Sequence, residues 1–188
     1  RPSHAQLPMA KKRQQKVVVA DQTGSVLCFG MKKDAIEQVF KTPPLEKEAS
    51  RLELGGTGEE RDKIFMASSG TVRAFTKKGK EFLRFNTNLT EPINSMWVGE
   101  EDIHTGGEFM YNTFINCKDT HFYMSSDRIN DLVCEHIVGT SRVECVLACQ
   151  DRMVRVVQGD NLLFETAMAG PVLTVDRYSN TTSAEGED

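Results

Sequence analysis

Short apolar segments follow one another along almost the whole chain, and this feature limits the possible fold more than any other. Each segment has four to seven residues rich in β-branched and aromatic side chains, and Gly, Asp, Asn or Ser separates it from the next. Helical periodicity is poor, and the best helix candidate, residues 31–40, fits a strand better. Short strands broken by turn residues at intervals of roughly 8–12 positions are typical of all-β sandwiches, barrels and propellers. The sequence predicts strands at residues 16–20, 25–30, 36–41, 51–54, 63–68, 71–75, 81–85, 93–98, 109–115, 120–124, 129–133, 144–149, 153–157 and 162–166.

A strand–turn–strand unit recurs within this pattern. An apolar strand ends in a small residue, three or four turn residues follow, and a second strand carries Val or Phe. The unit occurs at residues 17–29, 64–75, 102–114 and 146–157. Aligned positions of its second strand, 26, 72, 109 and 154, are 46, 37 and 45 residues apart. These spacings are close to the period of about 40–50 residues of propeller blades, so the unit resembles the two inner strands of a blade.

The repeats favour a β-propeller over an irregular β-sandwich, which stays the alternative. The Gly-His and Trp-Asp marks of the WD40 repeat are absent, so a different propeller subfamily is indicated. Four blades are the low end of the known range. We therefore expect an all-β fold that is a partial β-propeller, with about four blade-like repeats of a larger ring, over residues 16–175. Residues 1–15 are expected to be a disordered lead-in, and residues 176–188 an acidic inter-strand loop or disordered tail.

Charge and hydropathy argue against two broad classes of protein. The 188 residues carry a formal net charge of −4, whereas nucleic-acid-binding proteins usually present a positive face. The longest apolar runs fall far short of the ~20 residues that span a bilayer, and the first residues lack the apolar stretch of a signal peptide. We therefore expect no nucleic-acid partner and no transmembrane segment.

Cys134, His136, Cys145 and Cys149 are close enough in the sequence to suggest a zinc site. Structural zinc sites usually place their ligands in tight turns, but the residues between Cys145 and Cys149 are apolar and strand-like. Positions four apart on a strand face the same side, so both thiols are expected to pack inside a sheet. The odd number of cysteines and the absence of an export signal predict free thiols in a reducing compartment.

Other polar residues receive similar structural interpretations. His104 and His121 are expected to stand alone near turns. Asp127, Asp131 and Glu135 are spaced by four, but a calcium-loop pattern is absent, so they are expected to be solvated turn carboxylates. The sequence therefore predicts no metal-ligating residues and no cofactor.

No catalytic constellation is apparent, because the nucleophile-elbow, phosphate-loop and zincin motifs are all absent from the sequence. A propeller enzyme would need polar residues that converge from equivalent turns of several blades. Those turn positions include a single carboxylate; they are Gln22, Ser69, Gly107 and Asp151. We therefore predict a non-enzymatic protein with no catalytic residues. A propeller enzyme or ligand-binding domain with a pocket at the channel mouth stays the alternative.

A basic hairpin turn is the one candidate for a surface that faces a partner or a membrane. Lys77, Lys78 and Lys80 surround Gly79 in this turn, and Arg84 follows nearby. Each basic residue close to an anionic membrane surface contributes about 1 kcal/mol. A solvated turn tip that blocks edge pairing is the alternative interpretation.

The larger aromatic side chains show no pattern suited to base stacking. They are expected to pack in the core and between blades, and they are Trp97, Phe109, Tyr111, Phe114, Phe122 and Tyr123.

Five segments resemble a known family in their order and spacing. They are VLCFGMKK (26–33), RLELGG (51–56), FTKKGKEFLRFNTNLTE (75–91), YNTFINCKDTHFYMSSDRINDLVC (111–134) and VLACQDRMVRVVQG (146–159). Together they cover most of residues 16–175 and resemble the N-terminal β-propeller of the Bardet–Biedl syndrome protein 7 family, the seventh-numbered subunits of the BBSome. Residues 1–15, 43–50 and 99–108 depart from the family pattern, so no family contact is transferred to them.

This resemblance implies a function that the composition and the motif spacing alone do not predict. Members of the family are non-catalytic scaffold subunits of a coat-like complex that carries membrane proteins to and from cilia. The implied partners are other BBSome subunits, especially the second-numbered propeller subunit, and indirectly an Arf-like small GTPase and ciliary membrane-protein cargo. The implied locations are the cytoplasm, the cilium, the basal body and the ciliary membrane, with peripheral membrane association only through the complex. The chain would then be the opening part of the propeller.

Overall fold

The computed structural model describes residues 5–6, 16–33, 35–45, 47–56, 61–137 and 142–178, and these ranges contain sixteen β-strands and no helix. The strands form four antiparallel sheets of four strands, and strand order in each sheet follows the order along the chain. No helix in the described ranges is long and apolar enough to cross a membrane. The predicted all-β class is confirmed, and four separate sheets are not the two layers of a sandwich.

Each sheet is a simple meander, and we number the sheets as blades 1 to 4. Blade 1 contains β1 (Ala5–Gln6), β2 (Lys16–Ala20), β3 (Val26–Lys32) and β4 (Ala35–Lys41). Blade 2 contains β5 (Arg51–Gly55), β6 (Lys63–Ser68), β7 (Thr71–Phe75) and β8 (Glu81–Asn86). Blade 3 contains β9 (Ser95–Val98), β10 (Asp102–Gly106), β11 (Met110–Ile115) and β12 (Lys118–Met124). Blade 4 contains β13 (Ile129–Glu135), β14 (Glu144–Cys149), β15 (Met153–Gln158) and β16 (Asn161–Ala167).

The first strand of each blade is the inner strand. Strand β5 contacts both β1 and β9, and β9 contacts β13, so the inner strands of successive blades adjoin one another. The fourth strand forms the other edge of each sheet, and in β8 and β12 half-buried side chains are interspersed with exposed ones. Sheets that radiate in this way from a common axis are the blades of a β-propeller. The predicted partial propeller is therefore confirmed.

The middle strands of blade 2 are buried because a neighbouring blade covers each of their faces. In blade 2, every side chain of β6 after Lys63 and of β7 after Thr71 is buried. A strand enclosed on both faces needs a continuous apolar run rather than an alternating one. The sequences KIFMAS and TVRAF come close to such a run.

Three apolar clusters join successive blades. Between blades 1 and 2, Val18 and Cys28 pack with Ile64 and Phe75. The cluster between blades 2 and 3 contains Phe65, Ala67, Val72, Ala74, Ile93, Met96, Val98, Ile103 and Phe114. The cluster between blades 3 and 4 contains Tyr111, Ile129, Leu132, Cys134, Cys145, Leu147, Cys149 and Val157. The hydrophobic core is thus divided among the contacts between blades.

An irregularity in pairing recurs at the outer edge of every blade. The register between the third and fourth strands shifts once in each of the four sheets. A β-bulge bends its strand and increases the local twist, and a twisted edge pairs poorly with foreign strands. The shifts therefore protect the outer strands, which expose apolar side chains such as Phe164.

The repeated sequence unit corresponds to the second and third strands of each blade. Its aligned positions 26, 72, 109 and 154 lie in the third strands or directly beside them. The inner strands vary in length, from two residues in β1 to seven in β13, and the repeat does not include them. The predicted strand at residues 36–41, which overlaps the helix candidate, is confirmed as β4.

The two ends of the chain are described only in part. Ala5 and Gln6 pair with Val18 and Val17, so a short strand lies inside the predicted lead-in. The other residues of 1–15 lie outside the described ranges, and there the lead-in stays a prediction. Residues 176–178 have no regular secondary structure, and residues 179–188 of the predicted acidic loop or tail also lie outside the description.

Candidate functional site

The predicted basic turn forms the tip of the hairpin between β7 and β8. Lys77, Lys78 and Lys80 are exposed there, and Gly79 has a φ of +82°, which residues with a Cβ rarely adopt. A Cβ on Gly79 would lie 2.6 Å from the ring of Phe40 on the outer strand of blade 1. The tip of the turn therefore packs closely against the preceding blade.

Acidic neighbours compensate two of the four basic side chains. The Lys77 Nζ atom lies 3.0 Å from the Asp62 carboxylate, and the Arg84 Nε atom lies 2.7 Å from Glu81. The hydrogen bond from Arg84, with burial opposing it, leaves the pKa of Glu81 below its ordinary value. Within the described ranges, Lys78 and Lys80 form no ion pair. A partner-facing or membrane-facing role for Lys77, Lys78, Lys80 and Arg84 stays a prediction.

His104 lies at the centre of a buried hydrogen-bond network in blade 3. The residue is 3% exposed, with Nε2 2.9 Å from the Asp102 carboxylate and Nδ1 2.7 Å from the Tyr111 hydroxyl oxygen. The Thr113 hydroxyl donates to the same Tyr111 oxygen at 3.1 Å. The prediction that His104 stands alone near a turn is wrong, because β10 pairs with β11 and places these groups on one face of the sheet. The edge of Trp97 also packs on the imidazole ring, with 5.5 Å between centroids.

The hydroxyl, imidazole and carboxylate groups stand in the order of a proton relay, but Tyr111 and His104 are both buried. Tyr111 is 1% exposed, and burial raises its pKa well above the ordinary value. The hydrogen bond from His104 lowers the pKa of Asp102. A substrate would have to displace the core between blades 3 and 4 to reach the hydroxyl, so the network stabilises blade 3.

The second histidine is also paired. The His121 Nδ1 atom on β12 lies 3.4 Å from the Asp160 carboxylate in the β15–β16 turn of the next blade. Asp160 also accepts a hydrogen bond from the backbone N–H of Phe122 at 3.1 Å. The prediction of an isolated His121 is therefore wrong, since the turn of blade 4 packs on the outer strand of blade 3.

The thiols considered as zinc ligands are buried and free, as predicted. Cys134 faces Cys145 across the β13–β14 ladder, and Cys149 is buried on the same strand as Cys145. Burial raises the pKa of Cys134, which opposes the thiolate form that binds metals. His136 is exposed just after β13. In the described part of the chain, no three His, Cys, Asp or Glu side chains are grouped to hold a metal ion.

Asp131 is 4% exposed, so the prediction of a solvated turn carboxylate is wrong for this residue. It lies in the inner strand β13, and its carboxylate is 3.4 Å from the Arg51 guanidinium of blade 2. The Thr174 hydroxyl donates to it at 2.7 Å and the Val175 N–H at 3.3 Å. The segment after β16 therefore covers the carboxylate along the propeller axis.

The other two carboxylates of the predicted series are more accessible. Glu135 ends β13 and lies 3.0 Å from the Arg177 guanidinium, which lowers its pKa through a hydrogen bond. Asp127 lies in the turn before β13 and accepts a hydrogen bond from the Arg128 N–H at 2.7 Å. The three carboxylates do not form a joint site.

The sequence did not predict two buried arginines, which occupy equivalent positions of blades 2 and 4. Arg73 on β7 and Arg155 on β15 are 2% and 4% exposed. Arg73 pairs with Glu81 at 2.5 Å. Arg155 donates to Asp151 at 3.1 Å and to the Ser126 hydroxyl at 2.7 Å. The shared Val-Arg step of TVRAF and MVRVV was the signal that could have identified them.

Two of the turn positions considered for a channel-mouth pocket, Gly107 and Asp151, are in contact with other side chains. Asp151 is held by Arg155, and Gly107 packs against the Glu91 side chain, since a Cβ there would lie 2.4 Å from its oxygen. A cavity of about 350 Å³ opens instead between blades 2 and 3, and none of Gln22, Ser69, Gly107 and Asp151 lines it.

This cavity, which we call the inter-blade groove, is lined by apolar and by charged residues. The floor includes Phe65, Leu83, Ile103 and Phe114, and Phe82 stands at the mouth. The charged residues Lys63, Glu100, Glu101 and Asp102 also line the groove.

The aromatic residues divide between core and surface. Tyr111 and Phe114 are buried, and Trp97 and Tyr123 pack on the cluster between blades 3 and 4. The expected burial is wrong for Phe109 and Phe122, which are 38% and 55% exposed. Phe109 precedes β11 in a turn, and Phe122 lies on an outer strand.

Comparison with known proteins identifies the family of this propeller. The chain is 46% identical over 184 residues to the mouse BBSome complex member BBS7 and 32% identical over 167 residues to the Caenorhabditis elegans member bbs-7. These matches cover 96% and 86% of this chain, but 26% and 23% of the relatives. The chain thus spans about a quarter of the length of the relatives that it matches.

A solved structure supports the fold independently of sequence. The crystal structure of BBS1N in complex with ARL6DN superposes with a TM-score of 0.69 at 13% identity, over 91% of this chain and 55% of that one. The family model of the BBS7 beta-propeller matches residues 5–188, which confirms the resemblance in the sequence. The chain therefore belongs to the BBS7 β-propeller family.

Proposed function

We propose that this propeller is part of a non-catalytic scaffold subunit of the BBSome, acting in the trafficking of membrane proteins to and from cilia. The observation that carries the proposal is the 46% identity to a mouse BBSome complex member, which extends over 96% of the chain. The matched region extends over all four blades rather than over one motif.

The chemistry of the buried polar groups supports a structural role. The His104 network and the Arg155 cluster are hydrogen-bonded within single blades or to their neighbours. Buried polar groups that satisfy one another stabilise a unique packing of the sheets. The blades are thereby held as a rigid support for protein contacts.

The proposed partners follow from membership of the complex. They are the other BBSome subunits, with the second-numbered propeller subunit foremost, and indirectly an Arf-like small GTPase and ciliary membrane-protein cargo. The crystal structure of BBS1N, which shares the fold, contains ARL6DN. We propose the cytoplasm, cilium, basal body and ciliary membrane as locations, with membrane association only through the complex.

Deleting the gene for the full-length protein in ciliated cells is expected to change the abundance of membrane proteins in the cilium. The reason is that a coat-like complex lacking a scaffold subunit would carry less cargo in either direction. The measurement is quantitative mass spectrometry of proximity-labelled cilia, with re-expression of the wild-type protein as the control. Unchanged ciliary membrane-protein content in the deleted cells would contradict the proposed function.

A further inference from the structure

The two buried arginines at equivalent positions of blades 2 and 4 have opposite charged surroundings. In the sheet register, Arg73 of blade 2 lies opposite Arg84, whereas Arg155 of blade 4 lies opposite Glu165. Arg155 forms ion pairs with two carboxylates, those of Asp151 and Glu165. Blade 4 thus provides two carboxylates for one guanidinium.

Blade 2 reverses this ratio, because one carboxylate pairs with two guanidiniums. The Glu81 carboxylate lies 2.7 Å from the Nε atom of Arg73 and 2.7 Å from that of Arg84. Where blade 4 has its turn aspartate, blade 2 has Ser69, and the Lys47 ammonium donates to its hydroxyl at 3.5 Å. In the part of the chain that the structure describes, no second carboxylate forms an ion pair with either arginine. Blade 2 therefore keeps one positive charge that no described side chain balances.

The two guanidiniums of blade 2 differ in accessibility. That of Arg73 is buried 4.8 Å from the centre of the Phe75 ring, and its Nη1 atom has no hydrogen-bond partner among the described residues. Buried polar atoms usually have such a partner, so the charge of Arg73 is incompletely compensated. The Arg84 side chain is 52% exposed. An anion from outside the chain therefore reaches Arg84 first.

The basic turn extends this positive surface. Lys78 and Lys80 are exposed and form no ion pair in the described ranges. Lys77 is balanced by Asp62, so it does not contribute to the excess. Lys80 directly precedes Glu81 in the chain, which places its positive charge beside the arginine pair. The positive charge is thus concentrated at one end of the outer strand of blade 2.

We propose that Arg84 and the basic turn bind an acidic side chain, an aspartate or a glutamate, in an exposed segment of a partner protein. The carboxylate accepts hydrogen bonds from the Arg84 N–H groups that do not face Glu81, in the planar geometry that suits arginine and carboxylate. One unbalanced charge at a partly buried arginine pair fits a single carboxylate better than a broad anionic membrane surface. This inference rests on the proposed scaffold function, because it assigns to the propeller a contact with a protein partner.

The direct test is zero-length cross-linking of the native complex that contains the full-length protein. A water-soluble carbodiimide joins a lysine to a carboxylate where the two groups are in contact. We expect cross-links from Lys78 or Lys80 to Asp or Glu residues of another polypeptide. The internal link between Lys77 and Asp62, which lie 3.0 Å apart, shows that the reaction has worked. An internal link without any intermolecular link from the two exposed lysines would overturn the proposal.

A charge reversal separates partner binding from folding. Arg84→Glu gives blade 2 the cross-strand Arg–Glu pair of blade 4, so amides of β7 and β8 are expected to exchange no faster than in the wild-type protein. The intermolecular cross-links are expected to fall at least about fivefold, because the partner carboxylate then meets a like charge. Lys118→Glu is the control, since it reverses an exposed charge at the corresponding hairpin of blade 3. Equal loss of the cross-links in both variants, or no loss in Arg84→Glu, would contradict the assignment to Arg84.

Two further outcomes separate this proposal from its alternatives. If the complex binds phosphatidylserine vesicles through Arg84 and no intermolecular cross-link forms, the turn faces a membrane and the proposal is overturned. If the other BBSome subunits fail to co-purify with the wild-type protein, the scaffold function fails. The acidic contact is then still judged by cross-links from Lys78 and Lys80 to the proteins that do co-purify.

Discussion

Replacement of Phe114 by alanine is expected to destabilise the contact between blades 2 and 3 by about 3–5 kcal/mol, the usual cost of removing a buried aromatic ring. Phe114 is 2% exposed and packs in the cluster that joins these two blades. Its ring lies 5.5 Å from that of Phe85 on β8. The loss creates a cavity that neighbouring β-strands, fixed by their ladders, can fill only in part.

Hydrogen exchange of the full-length protein measures this effect locally. The backbone amide hydrogens of peptides from β7 to β12 are expected to exchange roughly a hundredfold faster in Phe114→Ala. The reason is that a decrease of about 3 kcal/mol in the free energy of local opening raises the population of open states by that order. Peptides from blade 1 should change little. Phe122→Ala is the matched control, since removal of an exposed ring usually changes stability by less than about 0.5 kcal/mol. Equal protection of Phe114→Ala and wild type would contradict a core located between blades.

Replacement of Asp151 by alanine is expected to destabilise blade 4 by about 2–3 kcal/mol, somewhat below the usual cost of breaking a buried ion pair. Arg155 is 4% exposed and would lose its charge partner in the β14–β15 turn. Glu165, 3.3 Å from the Arg155 Nε atom, compensates part of the charge. The Met153 N–H, which donates to Asp151 at 3.2 Å, would also lose its acceptor.

The double variant Asp151→Ala with Arg155→Met distinguishes the contribution of the ion pair to stability from the contribution of side-chain packing. It is expected to recover most of the lost stability, because no buried charge then lacks a partner. Exchange rates of β14 and β15 peptides in the full-length protein provide the measurement. A double variant as unstable as Asp151→Ala alone would show that the ion pair is not the cause.

The same pair gives a dependence on pH with a defined sign. The hydrogen bond from Arg155 lowers the pKa of Asp151 below its ordinary value of 3.8. The unfolded chain therefore binds a proton more readily than the folded one, and the stabilisation is complete above that value. This stabilisation is lost as the pH falls through the lower pKa of Asp151 in the folded protein. The stability of Asp151→Ala should therefore decrease less between neutral and acidic pH than that of the wild-type protein.

Much of the fold could be predicted because apolar runs and turn residues are local signals. Strands β2, β6, β7 and β14 occur with the predicted bounds, since each is an apolar run that ends at a turn. The blade period was visible in the second and third strands because each such pair is two apolar runs around a short turn. The two-residue strand β1 could not be predicted, because its pairing with β2 is a tertiary contact.

The polar groups were harder to predict because their surroundings come from distant segments. Asp131 resembles a turn residue in sequence, but Arg51 and Thr174 approach it from other parts of the chain. His104 and Tyr111 are seven residues apart and meet only because a hairpin aligns them on one face. Sequence spacing alone does not show which side chains share a face across two strands.

Co-purification is the most direct test of the proposal that this propeller is part of a scaffold subunit of the BBSome. The full-length protein, tagged at its natural locus in ciliated cells, is isolated under native conditions and its partners are quantified by mass spectrometry. We expect the other BBSome subunits in near-equal amounts. Isolation of the protein without them, from cells in which they are expressed, would contradict the claim.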